Sequence, residues 1–195
     1  MKTRWLLHCS LGEAAGIALV AVAYAAADRG LAPLVPAVLA AGAWEGLCLG
    51  LAQAMVLRRA GVGATHWVLA TVFAATLGYG LSLVGGAGAG GAEGPGPPLA
   101  LMLAAAAGLG AAMGVMMGAI QWTAARLFLH PRRWIWRNAA GWALAMPAIF
   151  AGSASVSADW SLPAIALTGA VSGAVAGAAL GLLTGPALPR PPGAA

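Results

Sequence analysis

The chain has 195 residues, of which 61% are apolar and only 8% charged, with a net charge of +5. That composition excludes a soluble domain of this length, which needs many more charged groups to cover its surface. The basic balance does not point to nucleic acid either, because nine of the ten Lys and Arg fall in four segments that a six-span topology puts on one side of a membrane.

An α-helix needs about 20 residues to cross a hydrocarbon core of ~30 Å. Six apolar stretches meet that length, at 5–27, 34–57, 65–84, 99–127, 134–152 and 163–184. They are apolar on every side and rich in Ala and Leu, unlike the alternating strands of a membrane β-barrel. The expected fold is an all-α membrane protein with six transmembrane helices.

The first span and its external turn occupy 1–33. Lys2 and Arg4 followed by Ala23-Tyr24-Ala25 resemble a cleavable signal peptide, but His8 and Glu13 interrupt what should be a purely apolar core. A retained first helix is the expectation. Cys9 lies in this span and Cys48 in the next. No CxxC or Cys/His spacing accompanies them, so they read as small apolar fillers and no metal site is expected.

The second and third spans form a hairpin over 34–84, joined by a short loop with Arg58 and Arg59. A Gly/Pro-rich external linker follows at 85–98, with little side chain to bury. The fourth and fifth spans form a second hairpin over 99–152, joined by a loop with Arg126, Arg132, Arg133 and Arg137. The fourth span is long for one crossing and should tilt or project into the interface. An external loop and the sixth helix take up 153–185, and a Pro-rich tail, expected to be disordered, runs over 186–195. The basic loops, the amino terminus and the tail share one side, so the positive-inside rule puts both termini in the cytoplasm.

The two hairpins are copies. Gly42-x3-Gly46-x3-Gly50-x2-Gln53-x4-Arg58 recurs as Gly110-x3-Gly114-x3-Gly118-x2-Gln121-x4-Arg126, 68 residues later. Beyond one gap, Trp67-Val68 pairs with Trp134-Ile135, and Thr71 with Asn138. Two crossings separate equivalent points, so the repeats are parallel, related by an axis along the membrane normal. A fainter echo in the last span keeps Gly173, Gly177 and Gly181, with Thr184 at the Gln position.

The phrase GxxxGxxQWxxLR followed by a Trp-led helix resembles that of a widespread group of bacterial multi-pass membrane proteins of uncharacterised activity. Gln121-Trp122 and Leu57-Arg58 each keep part of the phrase, whereas Ala54 and Ala125 depart from it. The resemblance covers roughly 42–80 and 110–145, implies a bacterial cytoplasmic (inner) membrane protein, and brings no activity with it.

At 100° per residue the three glycines of each copy span about 80°, and the Gln falls at about 20° on the same face. Such small-residue faces let helix backbones approach, and a Gln at their end can hydrogen-bond across the contact. Gln53 and Gln121 therefore read as amide locks on packing seams, with a symmetric polar site as the alternative. Glu45 lies roughly 20 Å of helix from Arg58, and Glu13 about 13 Å from Arg4. Ionisable groups at such depth are functional-site candidates by default. If the two carboxyls face one cavity, they can share a proton or a cation. The plainer reading is a buried acid satisfied by a neighbouring hydroxyl or backbone group. The second copy has Met113 where the first has Glu45, so any role is not duplicated.

His8, His66 and His130 suggest a haem or pigment site only weakly, and no cofactor is expected. Trp5, Trp67, Trp122, Trp134 and Trp136 read as an interfacial aromatic belt, with Trp44 and Trp142 as core. Ser82 lacks the second glycine of an intramembrane serine-protease phrase, and no catalytic or phosphate-cradling motif appears. The functional expectation is a non-enzymatic membrane protein that packs or assembles with others. The alternative is a small proton, cation or solute carrier using Glu45 and possibly Glu13. Expected partners are the bilayer with its anionic headgroups and a membrane protein or second copy of the chain; Arg58, Arg59, Arg126, Arg132, Arg133 and Arg137 would face the headgroups.

Overall fold

The computed structural model describes residues 1–87 and 98–189. It consists of six long helices: α1 (Lys2–Asp28), α2 (Leu34–Leu57), α3 (Ala64–Ala87), α4 (Leu99–Ala124), α5 (Pro131–Ala154) and α6 (Leu162–Thr184). No strand occurs among the described residues. Most of the linker, at 88–97, and the tail from 190 lie outside them.

Local chemistry sets the ends. Gly30 takes φ 68° in the turn after α1, and Pro33 stands just before α2. The turn Arg58–Ala60 after α2 ends at Gly61, whose φ of 85° lies in the left-handed region that favours glycine. Pro131 and Pro163 lie in the first turns of α5 and α6, where a missing N–H costs nothing. The Ser161 hydroxyl accepts the Ala164 N–H at 3.4 Å and caps α6. The fourth helix ends at Ala124, three residues before the expected 127, because the chain tightens into turns at Ala125–Phe128.

Five helices, all but α5, are long and apolar enough to cross a membrane. In α5 the first two turns carry Arg132, Arg133, Arg137 and Asn138, and Pro147 stands inside the helix. Even so, each of the six helices turns a large apolar side chain outward: Leu11, Leu51, Phe73, Leu101, Leu144 and Leu167 are all more than half exposed. Glu13, Glu45, Gln53, Thr71, Gln121, Asn138, Ser172 and Thr184 are buried instead. Polar side chains inside and leucines outside are what a hydrocarbon surrounding selects.

The helices form a closed ring in chain order, with α6 returning to pack against α1. The contact between α3 and α4, the pair joined by the long linker, is the slightest in the ring.

Three pairs make matching close contacts. A Cβ on Gly46 of α2 would come 2.6 Å from Val72 Cα on α3, and one on Gly114 of α4 would come 2.6 Å from Ala139 Cα on α5. One on Gly177 of α6 would come 2.6 Å from Ser10 Cα on α1. One turn on, Gly50 faces Val68 Cα, Gly118 faces Ile135 Cα and Gly181 faces Leu6 Cα, at 3.2, 3.0 and 2.7 Å. Gly42, Gly110 and Gly173 complete the seams against Tyr79, Trp142 and Glu13. The faint glycine echo of the last span is thus as fully used as the two clear copies, and its partner is the first helix.

After α6 a short turn, Gly185–Ala187, leads into Leu188, which packs against the core. Residues 186–189, expected to belong to the tail, are thus described, and the rest of the expected tail lies outside the described residues.

The seams predict a sharp contrast within α4. Gly114→Leu forces a side chain into the backbone of α5 and should lower stability by at least about 1–3 kcal/mol. Gly108→Ala, where an added Cβ meets nothing within 4 Å, should be neutral or slightly stabilising. Thermal unfolding in detergent reads both.

Candidate functional site: two buried polar clusters

Where the Trp-led helices begin, three indoles meet inside the ring. Trp5, Trp67 and Trp134 are 0, 0 and 1% exposed, and their rings pack edge-to-face with centroids 6.0 Å (Trp5–Trp134) and 5.6 Å (Trp67–Trp134) apart. These three are not the interfacial belt expected of them. They pack against one another in the core, and Trp5 and Trp67 find hydrogen-bond acceptors there. Trp44, expected in the core, is 44% exposed and donates to the Ala15 carbonyl at 3.3 Å. Trp136 is 63% exposed, and Trp142 is buried as expected.

Around the indoles runs a chain of amides and hydroxyls. The Trp67 indole N–H donates to Gln53 Oε1 at 3.1 Å, and Trp5 donates to Thr184 Oγ1 at 2.8 Å. Gln121 Nε2 donates to Thr71 Oγ1 at 3.1 Å and to Gln53 Oε1 at 3.3 Å. Gln53 Nε2 reaches Cys9 Sγ at 3.6 Å. The two glutamines of the doubled phrase thus touch each other, tying α2 to α4 across the ring. The matching bond of the second copy is not made: Trp134 Nε1 and Gln121 Oε1, the counterparts of Trp67 Nε1 and Gln53 Oε1, are both buried without a partner. Gln121 has turned its amide nitrogen toward the first hairpin.

The second cluster is acidic and lies further along the bundle, between α1 and α2. Glu13 is 0% exposed, and among the described residues neither of its carboxylate oxygens has a hydrogen-bond partner. Glu45 is 3% exposed, and its Oε2 accepts from the Tyr79 hydroxyl of α3. Close approach of α1 and α2 depends on two glycines of α1. A Cβ on Gly12 would come 2.9 Å from Leu49 Cα, and one on Gly16 would come 2.9 Å from Glu45 Cα. Two ionised carboxylates in such surroundings are prohibitively costly. The arrangement is therefore suited to holding a proton or a small cation, with Tyr79 as the hydroxyl that orients Glu45.

The remaining candidates separate. Arg58, Arg59, Arg126, Arg132 and Arg133 are exposed. Arg137 is half-buried and donates to the Leu183 carbonyl at 2.8 Å, so it also caps the end of α6. His66 and His130 are exposed, and a His8 ring nitrogen lies 2.7 Å from the Arg4 carbonyl. Among the described residues no three His, Cys, Asp or Glu come together as a metal site. Sequence reasoning missed Tyr79, Thr71 as a ligand of Gln121, and the Gly12-x3-Gly16 step. The last was readable, since it repeats the small-residue spacing and brackets Glu13.

Compared with models of known protein families, with curated proteins and with solved structures, the chain matches none.

The indole–amide network yields a paired test. Trp67→Phe and Trp134→Phe remove the same volume, but only the first removes an indole hydrogen bond. Trp67→Phe should cost about 0.6–1.7 kcal/mol more in an unfolding titration, the range of interhelical hydrogen bonds in membranes.

Proposed function

We propose that this chain is a small carrier of the bacterial cytoplasmic membrane that binds and releases a proton, or a cation in its place, at Glu13 and Glu45. The observation that carries this reading is Glu13, fully buried with both oxygens unpartnered, on the helix next to Glu45. A carboxyl serving only architecture finds a hydroxyl or backbone donor, and Glu13 has none.

In this reading all six helices cross the bilayer. The arginines of α5 lie at its entry, and its outer face, including Leu144, meets lipid. Both termini and the basic loops are cytoplasmic. The hairpins α2–α3 and α4–α5 are tandem copies, and α6 with α1 is a third unit split between the ends of the chain. The acids then occupy one of three junctions between units. At the corresponding places the other junctions have Ala75 with Met113 and Trp142 with Ala176, so the acid site is single. No nucleophile–base pair joins the acids, and the reading is non-enzymatic.

The other reading is an assembly or packing partner, either in a complex or as an oligomer of this chain. The three glycine seams that suggested it are filled within the chain. An assembly role would therefore use the exposed apolar outer face.

In liposomes containing the purified protein, an imposed potential should drive proton uptake, read by an internal pH dye. Glu45→Gln and Glu13→Gln should each reduce that uptake at least tenfold, and Tyr79→Phe by a smaller factor. Uptake that is absent, or unchanged in both glutamine variants, would overturn the carrier reading. Carbodiimide, which couples to protonated carboxyls in apolar surroundings, should label Glu13 or Glu45 in the wild-type protein.

A further inference from the structure

At the end of the bundle where α1 and α5 begin, two shallow surface clefts, both open to the surroundings and called cavities below, share one wall. The first, of about 530 Å³, is lined by Lys2, Thr3 and Arg133 together with Gly185 and Leu188 from the turn after α6. The second, of about 520 Å³, is lined by His130, Arg132, Arg133, Trp136 and Arg137. Arg133 stands between them. No carboxylate lines either cavity. Of the described acids, Glu13 and Glu45 are buried along their helices, Asp28 ends α1 and Asp159 lies in the α5–α6 loop. Among the described residues, the positive charge at this end is therefore uncompensated.

We infer that these cavities hold the headgroup of an anionic phospholipid with two phosphates, one on each side of Arg133. Three features select that chemistry. Arginine presents a planar fork suited to phosphate oxygens, and Arg133 is placed to serve two of them. The first N–H groups of α5 emerge beside the second cavity with no side-chain cap, so the positive end of the helix adds to the arginines. Arg137 is already fixed by its bond to the Leu183 carbonyl, which holds one wall of the second cavity in place.

The lipid source, as against a free phosphate, follows from what borders the second cavity. Trp136 on its rim is 63% exposed, and Leu144, two turns along α5 on the same side, is 60% exposed. Acyl chains leaving the headgroup lie along this strip, whereas a soluble diphosphate has no use for it. Clusters of arginine beside a membrane-spanning segment are suited to such headgroups. The inference rests on the membrane reading of the chain and is independent of the acid pair.

Native mass spectrometry of the full chain tests it, after release from nanodiscs of phosphatidylcholine doped at equal total charge with either cardiolipin or phosphatidylglycerol. Cardiolipin should be retained at least tenfold more than phosphatidylglycerol. Arg133→Gln should reduce that retention at least tenfold and Lys2→Gln severalfold. Arg59→Gln, an exposed arginine lining neither cavity, and Glu13→Gln should leave it unchanged. If Arg133→Gln does not fold, Arg133→Lys, which keeps the charge and loses the fork, should still lose most of the selectivity. Equal retention of the two lipids, or equal losses in the Arg59 and Arg133 variants, would reduce the site to surface electrostatics and overturn the inference. Pyrophosphate displacing cardiolipin at micromolar concentration would overturn it in favour of a soluble phosphate.

Discussion

Everything in this molecule depends on how closely helix backbones approach at glycine. Between helices surrounded by lipid tails, burial of leucine gains little, because the tails are as apolar as the side chain. What remains is dispersion between surfaces in contact and hydrogen bonds between groups that water does not reach. Both grow steeply as helices come together. At Gly46, Gly114 and Gly177 even one added carbon would sit 2.6 Å from the Cα of the facing helix. The seams are closed to the limit that the peptide backbone allows.

That closeness determines where the large and the polar side chains go. With glycine on one side of each seam the paired helices come into backbone contact, and Trp5, Trp67 and Trp134 meet edge-to-face inside the ring. Their N–H groups require acceptors, which Gln53 and Thr184 provide for two of them. Packing and hydrogen bonding at this end are thus one device. The break in its regularity, where Gln121 binds Thr71 and Gln53 and leaves Trp134 unpaired, ties the two hairpins to each other.

The acid pair uses the same geometry for a different end. Gly12 and Gly16 bring α1 against α2 and put Glu45 beside a helix that carries Glu13. Among the described residues nothing hydrogen-bonds to the Glu13 carboxylate. A closed, glycine-packed frame holds such a group in place at a cost that an isolated helix could not offset. The indole hub and the unsatisfied carboxyl are complementary: one ties helices of the ring together, the other is the group on which the proposed carrier role rests.

Much of this was legible in the sequence. Length, hydropathy and the four-residue glycine spacing determined the helices, and the seam faces followed from a period of 3.6 residues, which needs no partner to be read. Glu13 and Glu45 stood out because an acid in an apolar run is anomalous wherever it points. The sequence could not say which face meets which, because lipid and protein interior are equally apolar and a tryptophan suits either. Hence Trp5, Trp67 and Trp134 read as an interfacial belt until the fold placed them at the centre. Only the tertiary structure decided that α6 closes on α1, that the two glutamines bond to each other, that Tyr79 reaches Glu45, and that Glu13 is left without a partner. Each of those depends on a distance between residues far apart in the chain, and that distance is set by how the whole ring closes.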